Sequence, residues 1–139
     1  MTGCVLDASV VAAALFREDH ADVARDLLVG NHDLLAPDLI HAELANVIWK
    51  RSRVGEINRD EARDLLADIL ALPMQIIPAA PLIDAALALA MRSDRTAYDC
   101  LYLAAAIAHD APLFTADRRF VNALAATPLA THIRWIGAA

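Results

Sequence analysis

Four acidic residues, Asp7, Glu43, Asp99 and Asp117, stand in four separate segments of the chain, each beside a short apolar run. Asp99 is the most demanding of them. It heads the run Cys100 to Ala108, which is apolar on every face at helical spacing and therefore belongs to a helix packed into a core. A carboxylate at such a place stays ionised only with a cation, a metal or several hydrogen bonds. Two carboxylates about 4 Å apart repel by about 4 kcal/mol at an effective dielectric near 20, so four gathered acids require positive charge among them. Arg95 or Arg118 offsets part of that charge, and an all-oxygen cluster also suits Mg²⁺ or Mn²⁺.

Each acid also has a plain structural reading. Thr96 and Asp99 have capping-box spacing, with Thr96 as N-cap and Asp99 favoured by the helix dipole. Asp7 and Asp117 are each placed to cap a following helix, and Glu43 is compatible with a solvated helix face. Convergence of the four decides between these readings.

The elements that would bring them together follow from periodicity. Cys4 to Leu6 reads as a strand stopping at Asp7, and Ser9 as the N-cap of a helix over VVAAALF. A helix from Glu18 to Leu28 closes at Gly30, and Leu34 to Ala36 is a second strand before Pro37. The next helix starts at Pro37 or Asp38 and runs to Gly55. It carries Glu43 beside the apolar arc of Ile40, Leu44 and Val47, with Asn46 one turn on. Asn58 caps a helix from Arg59 to Leu72, Met74 to Ile77 is a third strand, and Pro81 opens a helix to Arg92. After the central helix, Leu113 to Thr115 is a fourth strand, Arg118 to Ala125 a short helix, and Ile133 to Ile136 a last strand. Strands alternating with helices imply an α/β fold, a parallel doubly wound sheet of four to five strands flanked by helices in one domain over residues 1–139. Ligands in such sheets bind beyond the carboxyl ends of the strands, where Asp7 and Asp117 fall.

Composition narrows the function classes. With 139 residues, 58% hydrophobic and 22% charged, the chain is long enough for one core and too apolar for disorder. It contains no apolar segment of membrane-spanning length, and MTGCVLDAS lacks the basic n-region of a signal peptide, so a cytoplasmic protein is expected. Cys4 and Cys100 lie in apolar runs as reduced core residues, and the five histidines show no ligand spacing, which argues against zinc. The net charge of -6 argues against nucleic-acid binding through a broad basic surface but leaves room for a nuclease with an acidic pocket. Lys50 is the sole lysine beside eleven arginines, a bias that codon usage in an alanine-rich chain explains as well as phosphate binding does. Arg17, Arg95, Arg118 and Arg119 flank the acidic edge and are candidates for phosphate contacts.

The segments VLDASVV, AELANV, TAYDCLYLA and TADRRF, in this order, resemble the PIN-domain ribonucleases, and the short chain resembles the VapC-type toxins of toxin–antitoxin pairs. The resemblance spans Val5 to Phe120. It implies that Asp7, Glu43, Asp99 and Asp117 are the acidic metal-site residues, with Ser9 and Thr115 as nearby polar groups and Asn46 beside the pocket. It also implies Mg²⁺ or Mn²⁺ as cofactor, RNA as substrate, an antitoxin partner and a homodimer, for which Trp49 and the Ile69–Leu70 edge offer an apolar face.

Two other classes compete. An aspartyl-phosphate phosphatase would use Asp7 as nucleophile, but Ser9 stands where a second acid is wanted and Lys50 lies on a helix rather than after a strand. A non-catalytic module would keep the acids as caps and fill the pocket with a partner's arginine. Metal binding that depends on Asp7 and Asp99 separates this module from the nuclease, and a phosphoenzyme trapped at Asp7 would identify the phosphatase.

Overall fold

Apolar periods of two and of 3.6 residues divide the chain into short strands and amphipathic helices. The computed structural model describes residues 2–30 and 32–138. In chain order it contains β1 (Thr2–Leu6), α1 (Ala8–Leu15), α2 (Ala21–Val29), β2 (His32–Pro37), α3 (Leu39–Arg53) and α4 (Arg59–Leu70). These are followed by β3 (Met74–Ile77), α5 (Ile83–Ser93), α6 (Ala97–Ala108), β4 (Leu113–Thr115), α7 (Arg118–Leu124) and β5 (Ile133–Trp135). The five strands form one parallel sheet in the order β3-β2-β1-β4-β5. The doubly wound α/β expectation is met.

β1 lies at the centre and is buried on both faces, which is why it reads as an unbroken apolar run rather than an alternation. Cys4 and Leu6 pack with Val10, Ala13, Ala24 and Leu27 of α1 and α2 on one face. Val5 points the other way, into the larger core built by α3 to α7. Within that core α6 is buried continuously from Cys100 to Ala106 and lies against β1, β2 and β4. Its sequence predicted this, because a helix apolar on every side has no face to give to water.

Helix ends follow capping chemistry, with local corrections. Asn58 and Glu61 form a reciprocal capping box at α4. α5 closes at Asp94 in the left-handed region (φ 55°), a conformation Asp tolerates better than most residues. Asp7, not Ser9, caps α1, since the Asp7 carboxylate accepts from the Ser9 N–H. α2 begins at Ala21 rather than Glu18, and α3 at Leu39, with Pro37 still in β2. Ile69 is buried, so it belongs to the core and not to an apolar edge; Trp49 and Leu70 remain exposed. Cys4 and Cys100 are free, buried thiols, as read from their surroundings. Burial pushes both thiols up, Cys4 to about 11, so neither is a poised nucleophile. No helix among the described residues is long and apolar enough to cross a membrane.

Candidate active site

The chain lays β2 and β3 outward on one side of β1, then returns to place β4 and β5 on the other. The winding reverses between β1 and β4, and the carboxyl ends of those two strands open a crevice in any sheet of this kind. Asp7 follows β1 directly, Thr115 ends β4, and Asp117 is the N-cap of α7. The register pairs Leu6 with Phe114, and the Asp7 N–H donates to the Phe114 carbonyl, which sets Asp7 beside Thr115.

Asp7 is only 7% exposed and both its carboxylate oxygens are engaged. Oδ1 accepts from the Ser9 N–H at 3.1 Å and from the Ser9 hydroxyl, and Oδ2 accepts from the Thr115 hydroxyl at 2.6 Å. The two hydroxyls are locked in turn. Ser9 Oγ accepts from the Ala116 N–H at 2.9 Å, and Thr115 Oγ1 accepts from the Asp117 N–H at 3.0 Å. One network therefore fixes the ends of β1 and β4 together. Burial pushes the Asp7 carboxyl up to about 6; the hydroxyl hydrogen bonds hold it down in part, and the charge of Asp99 raises it.

Glu43, half-buried on α3, accepts from the Tyr102 hydroxyl of α6 at 2.5 Å. Its carboxyl is raised by burial, lowered by this bond and raised by Asp99. In the sequence Tyr102 stands within TAYDCLYLA and carries no role of its own. The available signal was a hydroxyl inside a fully apolar run, since a buried Tyr oxygen needs a partner.

Asp99 keeps the cap without completing the box. Its N–H donates to Thr96 Oγ1 at 3.1 Å, while its carboxylate turns to Arg95. Arg95 Nη2 donates to Asp99 Oδ2 at 2.9 Å and to Asp117 Oδ2 at 3.1 Å, with its guanidinium carbon 5.0 Å from the centre of the Phe120 ring. Burial raises the Asp99 carboxyl, Arg95 lowers it, and Asp117 raises it again. Asp7, Glu43, Asp99 and Asp117 are thus linked through one another's fields, with Asp99 in the middle.

This donor set is all oxygen, hard and in excess of its local positive charge, the chemistry that fits Mg²⁺ or Mn²⁺. Among the described residues no three His, Cys, Asp or Glu side chains stand close enough together to hold one ion as they are set. Mg²⁺ does not require that. It keeps several waters and is commonly held by one or two carboxylates, so Asp7, Asp99, Asp117 and Glu43 can serve directly or through water.

The remaining sequence candidates divide. Ser9, Thr96 and Thr115 are part of the network just described. Asn46 is exposed on α3, one turn beyond Glu43. Arg17 and Arg119 are exposed, the Arg119 N–H donating to Asp117 Oδ1, and the Arg118 guanidinium stacks 4.8 Å above the Trp135 ring. Arg95 is engaged by carboxylates, so it is not free for a phosphate in this arrangement.

A PIN-domain family model matches residues 4–124. The chain belongs to the PIN-domain family. This PIN-domain chain is 31% identical to Ribonuclease VapC3 of Pyrobaculum aerophilum over 120 residues, 85% of its own length and 92% of the relative's. It is 34% identical to Ribonuclease VapC1 of Mycobacterium tuberculosis over 124 residues, 88% and 92% of the two chains. The crystal structure of PAE2754 from Pyrobaculum aerophilum matches the PIN-domain chain with a TM-score of 0.70 at 25% identity, covering 99% of this chain and 85% of that one. VapBC2 from Rickettsia felis, solved with a DNA fragment from the promoter, shares the fold with a TM-score of 0.66 at 18% identity over 96% and 98% of the chains.

Proposed function

We propose that the chain is a Mg²⁺- or Mn²⁺-dependent endoribonuclease that hydrolyses RNA phosphodiester bonds, and that it is the toxin of a toxin–antitoxin pair. The observation that supports this reading is geometric: Thr115 joins the Asp7 carboxylate to the Asp117 N–H at the reversal of the sheet, and Arg95 joins the Asp117 carboxylate to that of Asp99. Relatives named as VapC ribonucleases along most of the chain support the substrate class. A toxin–antitoxin complex from Klebsiella pneumoniae and VapBC-1 from Haemophilus influenzae, both sharing the fold, support an antitoxin partner.

Asp7, Asp99 and Asp117 hold the ion in this reading, and Glu43 completes the set or orients the attacking water. When bound, the ion lowers the pKa of water and offsets charge building on the phosphate and the leaving oxygen. No nucleophilic side chain is then needed. Ser9 and Thr115 keep Asp7 in one rotamer, and the Tyr102 bond to Oε1 of Glu43 leaves its second oxygen for water. Arg17, Arg118 and Arg119 are assigned to substrate phosphates. The phosphatase alternative is disfavoured because Ser9 stands where a second acid is wanted and the sole lysine, Lys50, lies on α3 rather than after a strand.

A second copy is proposed to cover the apolar stripe of Ile83, Leu87 and Met91, which α5 exposes at i, i+4 and i+8. The test of function is RNA cleavage by purified protein with Mg²⁺, with chelator, and in Asp99→Asn. That variant keeps the Thr96 cap, which uses the backbone N–H, and is expected to fold and to lose cleavage. Full activity in Asp99→Asn removes the proposal. Mapping RNA ends in cells, wild type against Asp7→Asn, identifies the RNA.

A further inference from the structure

We infer that Arg95 is a built-in counter-cation which occupies the divalent-ion position between Asp99 and Asp117 and must move aside before the site can load. This rests on the metal-dependent reading above. A single nitrogen, Nη2, serves both carboxylates, at 2.9 Å and 3.1 Å. One donor between two acids from different elements is a point charge placed where a shared cation would sit, rather than the two-nitrogen fork by which Arg usually binds one carboxylate. The rest of the guanidinium is poorly held. Nε is buried with no hydrogen-bond partner among the described residues, and the planar group lies against Phe120 through a contact that is weak and non-directional.

The backbone around Arg95 favours a swing. Asp94 closes α5 in the left-handed region and Thr96 opens α6 in extended geometry, so Arg95 is in neither helix, and its side chain makes the links to Asp99 and Asp117. Its partners are held by other groups as well, Asp117 through a carboxylate oxygen and Asp99 through its backbone. Asp117 Oδ1 accepts from the Arg119 and Phe120 N–H groups, and the Asp99 backbone is fixed by Thr96. Arg95 is therefore the group that yields. Asp99 and Asp117 are both turned toward the guanidinium, and among the described residues no three acids close on a single point.

The experiment is calorimetric titration of Mn²⁺ into the full chain, wild type, Arg95→Gln and Arg95→Lys, under conditions where RNA is absent. Arg95→Gln is expected to bind Mn²⁺ at least about tenfold more tightly than wild type, because the two charge-assisted hydrogen bonds made by Nη2 no longer have to be displaced. Arg95→Lys, which keeps the charge, should remain near wild type. Equal or weaker binding in Arg95→Gln, with wild type still binding, overturns the counter-cation role and leaves the metal reading intact. Absence of Mn²⁺ binding in all three overturns both. A measurement on wild type alone guards against a variant that fails to fold. The Arg95 Nε–H signal in NMR should exchange faster with water when Mg²⁺ is added, and an unchanged rate also overturns the inference.

Discussion

The Tyr102 hydroxyl donates to Glu43 Oε1 across 2.5 Å, joining the middle of α6 to the middle of α3. Removing it in Tyr102→Phe leaves a half-buried carboxylate oxygen without its partner, at a cost of about 1 to 3 kcal/mol. The bond lowers the Glu43 carboxyl, so its loss raises that group further. The acid limb of the cleavage pH profile is expected to move to higher pH in the variant, with activity recovered in alkaline buffer. A profile identical to wild type would separate Glu43 from the reaction.

Asp7 makes stability depend on pH in an unusual direction. Its folded carboxyl sits at about 6 against an ordinary 3.8, so the folded state holds the proton more tightly than the unfolded one. The resulting stabilisation is complete below pH 3.8 and is lost as pH rises through about 6, roughly 3 kcal/mol in all. Asp7→Asn is therefore expected to unfold at higher denaturant than wild type at pH 8, without metal, and the difference should vanish near pH 4. Urea melts at the two pH values measure this, and added Mg²⁺ should narrow the gap by stabilising wild type alone.

The legible and hidden parts of the molecule differ for physical reasons. Strand ends and helix caps are local, so Asp7, Asp117 and Thr96 could be placed from residue type and the apolar run beside them. Asp99 was awkward in sequence for the right reason, since a charge heading a buried helix must meet a partner, and Arg95 is that partner. That Arg95 also reaches Asp117, 22 residues on, was not legible, because no periodicity sets the direction of a side chain leaving a turn. Ile69 misled because α4 buries a narrow stripe, and the position of that stripe depends on how α4 packs against α3. The Ser9 and Thr115 hydroxyls meet across more than a hundred residues of chain, at 3.3 Å, because the β1–β4 register sets the start of α1 beside the end of β4.

Thr115 is fully buried, and its hydroxyl both donates to Asp7 and accepts from the Asp117 N–H. Thr115→Val keeps the shape and leaves the buried Asp7 oxygen and the part-buried Asp117 N–H unpaired, an expected loss of ~3 kcal/mol in chemical denaturation. Thr115→Ser restores the hydroxyl and should recover most of it. If the valine variant matches wild type, the network does not hold the ends of β1 and β4 together.

Leu87 is the centre of the exposed α5 stripe, flanked by Ile83 and Met91 one turn to either side. An isologous contact brings this residue near its own copy, so a charge here meets a like charge across the two-fold axis and leaves it desolvated. Light scattering at micromolar concentration is expected to give a dimer for wild type and a monomer for Leu87→Glu. Because α5 contributes none of the four acids, cleavage per chain should be unchanged in the monomer. A wild-type monomer would remove the second copy as occupant of the stripe, whereas a dimer that survives Leu87→Glu would move the interface to another face, the exposed Trp49 and Leu70 being the next apolar candidates.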